Sequence, residues 1–243
     1  MKHNLTLRRG LCVLLSLLMC LSLLPAAVLA EDPDTTADFT ANADAALALL
    51  NAAKTGEANS IWEKNTLTLN GVNFTTTTET AVILPAGAKI VLAEGTTNTI
   101  ASSADNAYMS YGIYAADGLT IEGSGTLIVR SAKATTTTDS NSYGIYADDG
   151  DITISGGTIE ATGGEASFCS SGIYASDAND PNGGNITISG GAVNATGGKS
   201  YATGYSSGIS GRNVTISDGT VTAKGGQSSG ESRGISGGTK AAL

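Results

Sequence analysis

Histidine and cysteine are nearly absent from this chain. The single histidine is His3, and of the three cysteines, Cys12, Cys20 and Cys169, two also fall within the first thirty residues. Those residues read as a secretory signal: Lys2, Arg8 and Arg9, an apolar run over 11–24, then Val28-Leu29-Ala30 with small residues at the cleavage positions. An uncleaved anchor is the alternative, but Pro25 and the Val-x-Ala ending favour cleavage, and Leu17 to Cys20 is a poor lipoprotein box because Met19 stands where a small residue is wanted. The mature chain is expected to start near Glu31, with one thiol and no imidazole. That excludes internal disulfides, histidine-ligated zinc and any catalysis that depends on histidine.

Basic charge is scarce too. The signal takes three of the 13 basic residues and none of the 22 acidic ones, leaving a net charge of −12. Nucleic acid and anionic membrane surfaces are therefore poor partners, and no membrane insertion is expected after cleavage. Aromatic residues make up 5% of the chain against 32 glycines, a thin supply for a conventional round core. Stacked small units suit such a composition better.

The repeat supplies those units. Gly-Ile pairs begin at Gly112, Gly144, Gly172, Gly208 and Gly234, spaced 32, 28, 36 and 26 residues apart. The first four are each followed by a second run ("LTIEGSG", "DITISGG", "NITISGG", "NVTISDG") and a third ("TLIVR", "TIEAT", "AVNAT", "TVTAK"). Three period-2 runs with glycine at the corners and no helical pattern predict about three strands per coil, stacked as an all-β, right-handed parallel β-helix. Alternation turns four aliphatic columns inward: Ile113, Ile145, Ile173, Ile209; Leu119, Ile152, Ile186, Val214; Ile121, Ile154, Ile188, Ile216; and Leu127, Ile159, Val193, Val221.

Three regions follow: a signal over 1–30, an N-terminal helical capping segment over 31–60 and the β-helix over 61–243. Residues 38–54 are helix-prone and would cover unpaired strand edges at the start of the solenoid. Before Ser110 the runs "LTLNGVNF", "AVILPAG", "KIVLAEG" and "NTIASS" read as strands of one or two earlier, less regular coils. The fifth Gly-Ile coil stops at "SGGTKAAL", so the C-terminal end reads as truncated.

Outward positions carry the candidate chemistry. Tyr114, Tyr146 and Tyr174 form an aromatic column that ends at Ser210. Such rings either stack on one another for sheet stability or offer faces to sugar rings. A threonine column, Thr120, Thr153, Thr187 and Thr215, is β-propensity with hydroxyl pairing; an ice-binding array would want a second such column, and Ile128, Glu160, Asn194 and Thr222 break it. Asp117, Asp149 and Asp177 each stand five residues past a repeat glycine, with Asn213 in the same place. Carboxylates at coil spacing repel by about 1 kcal/mol at water's dielectric constant and roughly 3.5 at an effective value of 20, which calcium would relieve, unless they are turn residues splayed into solvent. Loops of variable length, 131–142, 163–171, 197–207 and 225–233, share one corner and include Tyr201 and Tyr205.

The runs "LTLNGVNF", "KIVLAEGTTNTI" and "GIYAADGLTIEGSGTLIV", with repeated "DITISGGTIEATGG", resemble a secreted bacterial carbohydrate-binding family with a pectate-lyase-like β-helix, of the clostridial acid-sugar-binding type. The resemblance spans about 66–226. It implies polysaccharide as partner, acidic sugars included, with bound calcium and without catalysis. That family commonly has aspartate before the repeat Gly-Ile, where this chain has Tyr111, Tyr143, Ser171, Ser207 and Arg233. A lyase or glycosidase is the enzymatic alternative. A lyase wants a Lys or Arg base beside a calcium cluster, and a hydrolase two carboxylates about 5 to 9.5 Å apart. Glu160 is the one acid expected on an outward strand face, while Arg130 and Arg212 stand apart from any acidic cluster. The expectation is a non-catalytic polysaccharide-binding protein, secreted or on the cell surface and facing host or cell-wall glycans. The other alternative is a surface adhesin or stalk with a protein partner.

Overall fold

The computed structural model describes residues 35–105, 107–175, 183–201 and 204–241. The chain winds into a parallel β-helix whose three faces are built from successive coils. In chain order the strands are β1 Ala37–Asp38, β2 Ile61–Glu63, β3 Thr66–Leu69, β4 Asn73–Thr76, β5 Thr80–Leu84, β6 Ala88–Leu92, β7 Thr97–Ser102, β8 Met109–Ala115, β9 Leu119–Gly123 and β10 Thr126–Arg130. They continue as β11 Asn141–Ala147, β12 Ile152–Ile154, β13 Thr158–Thr162, β14 Ser170–Ala175, β15 Ile186–Thr196, β16 Tyr205–Lys224 and β17 Glu231–Ala241. Every pairing is parallel except that of β2 with β3.

The first face runs β1, β5, β8, β11, β14, then the opening parts of β16 and β17. The second runs β3, β6, β9, β12 and on into β15, β16 and β17. The third runs β4, β7, β10, β13 and the later parts of β15 and β16.

The aliphatic columns close the interior as their spacing requires. Val82, Ile113, Ile145, Ile173 and Ile209 lie in register and fully buried, and Leu127, Ile159 and Val193 form a third-face column with at most 2% exposure. Each buried aliphatic side chain contributes roughly 1.5–3 kcal/mol, and the coils above and below complete a burial that no single coil could provide. Later members of these columns, Ile216, Val221 and Ile235, are only partly buried.

The segment before the repeats is more than a helix. Ala37 adds a rung beneath Val82 on the first face. The helix α1, Ala43–Ala52, follows, started by Asn42, whose side chain accepts the Ala45 N–H. Ala46 and Leu50 are buried in the core cluster with Phe39 and Leu67.

Alternation fails at one place per coil, and that place shapes the outer surface. At Gly144 an added Cβ would stand 2.6 Å from the Gly172 carbonyl oxygen and 2.9 Å from the Thr162 nitrogen. The chain bends there, so that Ser142 and Ile145 are both fully buried, and Tyr143 lies among the outward rings of Tyr146 and Tyr174. Strict alternation would have put Tyr143 on the same side as Ile145.

The buried serines before each bend close the corner of the coil. Ser170 Oγ donates to the Gly164 carbonyl at 2.7 Å and accepts the Gly198 N–H of the next coil at 2.7 Å. Ser206 repeats this with Gly198 and Gly226, and Ser142 accepts from Gly164 N–H while donating to the Ala132 carbonyl. Each hydroxyl thus joins the residues that leave the third face, Gly-Gly at Ser170 and Ser206 and Ser131-Ala132 at Ser142, to the Gly-Ile that starts the next coil, satisfying backbone groups that would otherwise be buried unpaired.

Candidate binding cleft

On the first face the outward column Tyr114, Tyr146, Tyr174 is in register, as its spacing predicts. The rings are half-buried and stacked: Tyr114 to Tyr146 at 5.6 Å and 24°, Tyr146 to Tyr174 at 5.5 Å and 7°. Tyr111 and Tyr143, brought outward by the glycine bend, fill the space beside them. Tyr143 lies 4.7 Å from Tyr174, and Tyr111 meets Tyr114 edge-on at 5.3 Å.

Asp148, which no repeat column in the sequence singles out, fixes two of these rings. Its carboxylate accepts the Tyr114 hydroxyl at 2.8 Å and the Tyr146 hydroxyl at 3.0 Å. Burial, then the bond to Asp148, pushes Tyr114 up to about 12, and burial raises Tyr111, Tyr143 and Tyr146 further. The protonated phenol is therefore favoured in the folded chain. Stability from these groups is complete below the ordinary tyrosine value near 10 and is lost as pH rises through the folded values. In an alkaline titration the share of tyrosinate absorbance that belongs to Tyr111, Tyr114, Tyr143 and Tyr146 is expected to appear only well past pH 10 and together with unfolding; its full appearance near pH 10 in folded protein would contradict this.

The ring stack ends at Tyr174 because the next positions of its column are Ser210 and Ser236. In the neighbouring column Tyr111 and Tyr143 give way to Ser171, Ser207 and Arg233. The step from rings to hydroxyls leaves a cleft of about 340 Å³ lined by Cys169, Ser171, Tyr174, Tyr205, Ser207, Ser210, Glu231, Arg233 and Ser236. Arg233 Nη1 donates to Ser236 Oγ at 3.3 Å, so its guanidinium reaches across to the tyrosine column two rungs beyond Tyr174, and it is ion-paired with Glu231. Tyr205, 47% exposed, forms a side wall and is braced edge-on by Phe168 at 6.1 Å.

The aspartate corner is a separate place. Asp117 and Asp149 line one open groove with Asp151, Thr120 and Thr153, and Asp149 adopts φ +57° as a turn residue. Asp177 lies outside the described residues. Asn213 belongs with another column: its side chain donates to Asn185 at 2.8 Å, and Asn185 donates to Asp151 at 3.0 Å. The corners differ in length, so counting from the glycine does not preserve register. Among the described residues no group of three acidic, histidine or cysteine side chains could hold a metal. Calcium takes six to eight oxygens, more than Asp117, Asp149 and Asp151 carry as single carboxylate contacts.

Elsewhere on the surface, Glu160 sits outward between Ile128 and Asn194 as expected. It is not the only such acid, since Glu122 extends β9 and pairs with Lys89 at 3.2 Å. The variable loops stack through bridges from Ala134 to Ala166, Ser200 and Ser228. Tyr201 there donates to Glu165 at 2.6 Å, with Lys199 over its ring at 4.3 Å.

The fold is a parallel β-helix with a polar, aromatic-walled cleft on one face. Residues 57–242 match the family of carbohydrate-binding domain-containing proteins, and the chain belongs to that family. No curated protein and no solved structure matches it.

Proposed function

We propose that this is a secreted or cell-surface, non-catalytic protein that binds polysaccharide in the cleft between Tyr174 and Arg233. The observation that carries the reading is the break in the tyrosine column. Tyr146 and Tyr174 stack at 5.5 Å, and the next rung offers only Ser210, so one ring-shaped place is open in an otherwise continuous stack. Two rungs span roughly 9.6 Å, which admits one sugar ring with Tyr174 on one side and the guanidinium on the other. Glu231 is the one carboxylate among the lining residues and is already paired, whereas hydrolysis wants two.

The test is retention of the purified protein on a panel of plant, host and bacterial polysaccharides, with calcium and with chelator, beside Tyr174→Ala. Retention by the native protein and its loss in the variant are expected. A folded protein retained by no glycan would overturn the reading in favour of an adhesin or stalk with a protein partner. Calcium at the aspartate corner is a separable part of the proposal. A chelator that lowers the melting temperature would support it, and an unchanged melting temperature would leave Asp117 and Asp149 as turn residues.

A further inference from the structure

Resting on that reading, we infer that the cleft holds the interior of a linear chain, laid obliquely across the strands, and not a chain end. The lining residues come from three successive rungs of the first face and form a grid. Ser171, Ser207 and Arg233 are in register in one column, and Tyr174, Ser210 and Ser236 in a second. Cys169, Tyr205 and Glu231 each stand two residues before the first of these columns.

Side-chain size decides the direction in which the grid is open. Every rung and every column of it contains at least one bulky side chain, whereas the diagonal from Cys169 through Ser207 to Ser236 contains none. Tyr174 stands on one flank of that diagonal, backed by Tyr143 at 4.7 Å and Tyr146 at 5.5 Å. Tyr205, braced by Phe168, and the ion pair of Glu231 with Arg233 form the other flank. A chain running along the solenoid axis or along a single strand would meet one of these groups. The diagonal climbs two rungs and five residues, about 19 Å at roughly 4.8 Å per rung and 3.3 Å per residue, the length of about three linked pyranoses. Ser171 and Ser210 widen its floor with hydroxyls that both donate and accept. Neither terminal residue, Cys169 or Ser236, is large enough to stop a chain, so the polymer continues past both, with the ring seated against Tyr174 as one unit of it.

Titration calorimetry tests this with size-fractionated oligomers of one to six units, prepared from each polysaccharide that retains the native protein. Affinity is expected to rise by about tenfold or more from one unit to three, and by less than about twofold from four to six. Hexamers capped with a bulky fluorophore at one end or the other are expected to bind within about twofold of the uncapped hexamer. Ser236→Trp lays a ring across one end of the diagonal and is expected to remove the gain between one unit and three; if that variant fails to fold, the native length series and the capped hexamers decide alone. Full affinity for a single sugar, a terminal cap that abolishes hexamer binding, or a folded Ser236→Trp protein that keeps the gain would overturn the inference and leave polysaccharide binding standing. Failure of the folded native protein to bind any glycan would instead remove the reading on which the inference rests.

Discussion

Replacing Ser210 with tyrosine is expected to abolish glycan retention and to raise the melting temperature. Ser210 is in register with Tyr174, so a phenol there continues the stack of Tyr114, Tyr146 and Tyr174 and fills the place assigned to the sugar ring. One more stacked pair is worth about 0.5–1.5 kcal/mol beyond its buried area, which for a chain of this length corresponds to a rise of about 2–4 °C per kcal/mol. Affinity should fall by a factor of about ten to a hundred or more, the equivalent of roughly 1.4–2.8 kcal/mol. Thermal melting and retention on the same glycan separate the effects. A Ser210→Tyr protein that melts higher yet still holds the glycan would place the binding site elsewhere.

The second large effect is expected at Gly144, where alanine should cost about 3 kcal/mol or more. A Cβ there meets the Gly172 carbonyl at 2.6 Å and the Thr162 nitrogen and oxygen at 2.9 and 3.0 Å, all backbone atoms held in parallel ladders. Flexible side chains can step aside, but these groups move only if whole rungs separate, so overpacking reaches the upper part of its usual range. The bend also turns Tyr143 outward. Gly144→Ala should therefore loosen the ring cluster, seen as lower near-ultraviolet circular dichroism together with a lower denaturation midpoint. An unchanged midpoint would show that the bend is not sterically fixed by glycine.

Much of the fold could be read from the chain because a parallel solenoid repeats its burial pattern in register. Ile113, Ile145, Ile173 and Ile209 are one column in the structure because the same local sequence meets the same neighbours in each coil. The side assigned to Tyr111 and Tyr143 was not legible by alternation, since the glycine bend inserts an inward residue and shifts the phase. The repeated pairing of Ser-x-Gly-Ile with a preceding Gly-Gly was the available signal for the buried hydroxyl contacts, but no propensity rule reports a hydrogen bond between corners of successive coils. The cleft was half visible. The column Tyr, Tyr, Tyr, Ser and the replacement of the pre-glycine position by Arg233 stood in the sequence, whereas the approach of Arg233 to Ser236 and Glu231 needed the coil closed. At the aspartate corner, unequal turn lengths separated Asn213 from the column that counting had given it.

The serine contacts at Ser170 and Ser206 close their coils through the two glycines before the loop and the strand after it, and Ser142 does the same through Ala132. The loops between are themselves laddered at Ala134, Ala166, Ser200 and Ser228, so a loop can lengthen without a change of strand register only beyond that bridged residue. In engineering terms the corner is a row of display sites at coil spacing, each with a fixed stem of glycines, bridge and serine and a free tip for its cargo.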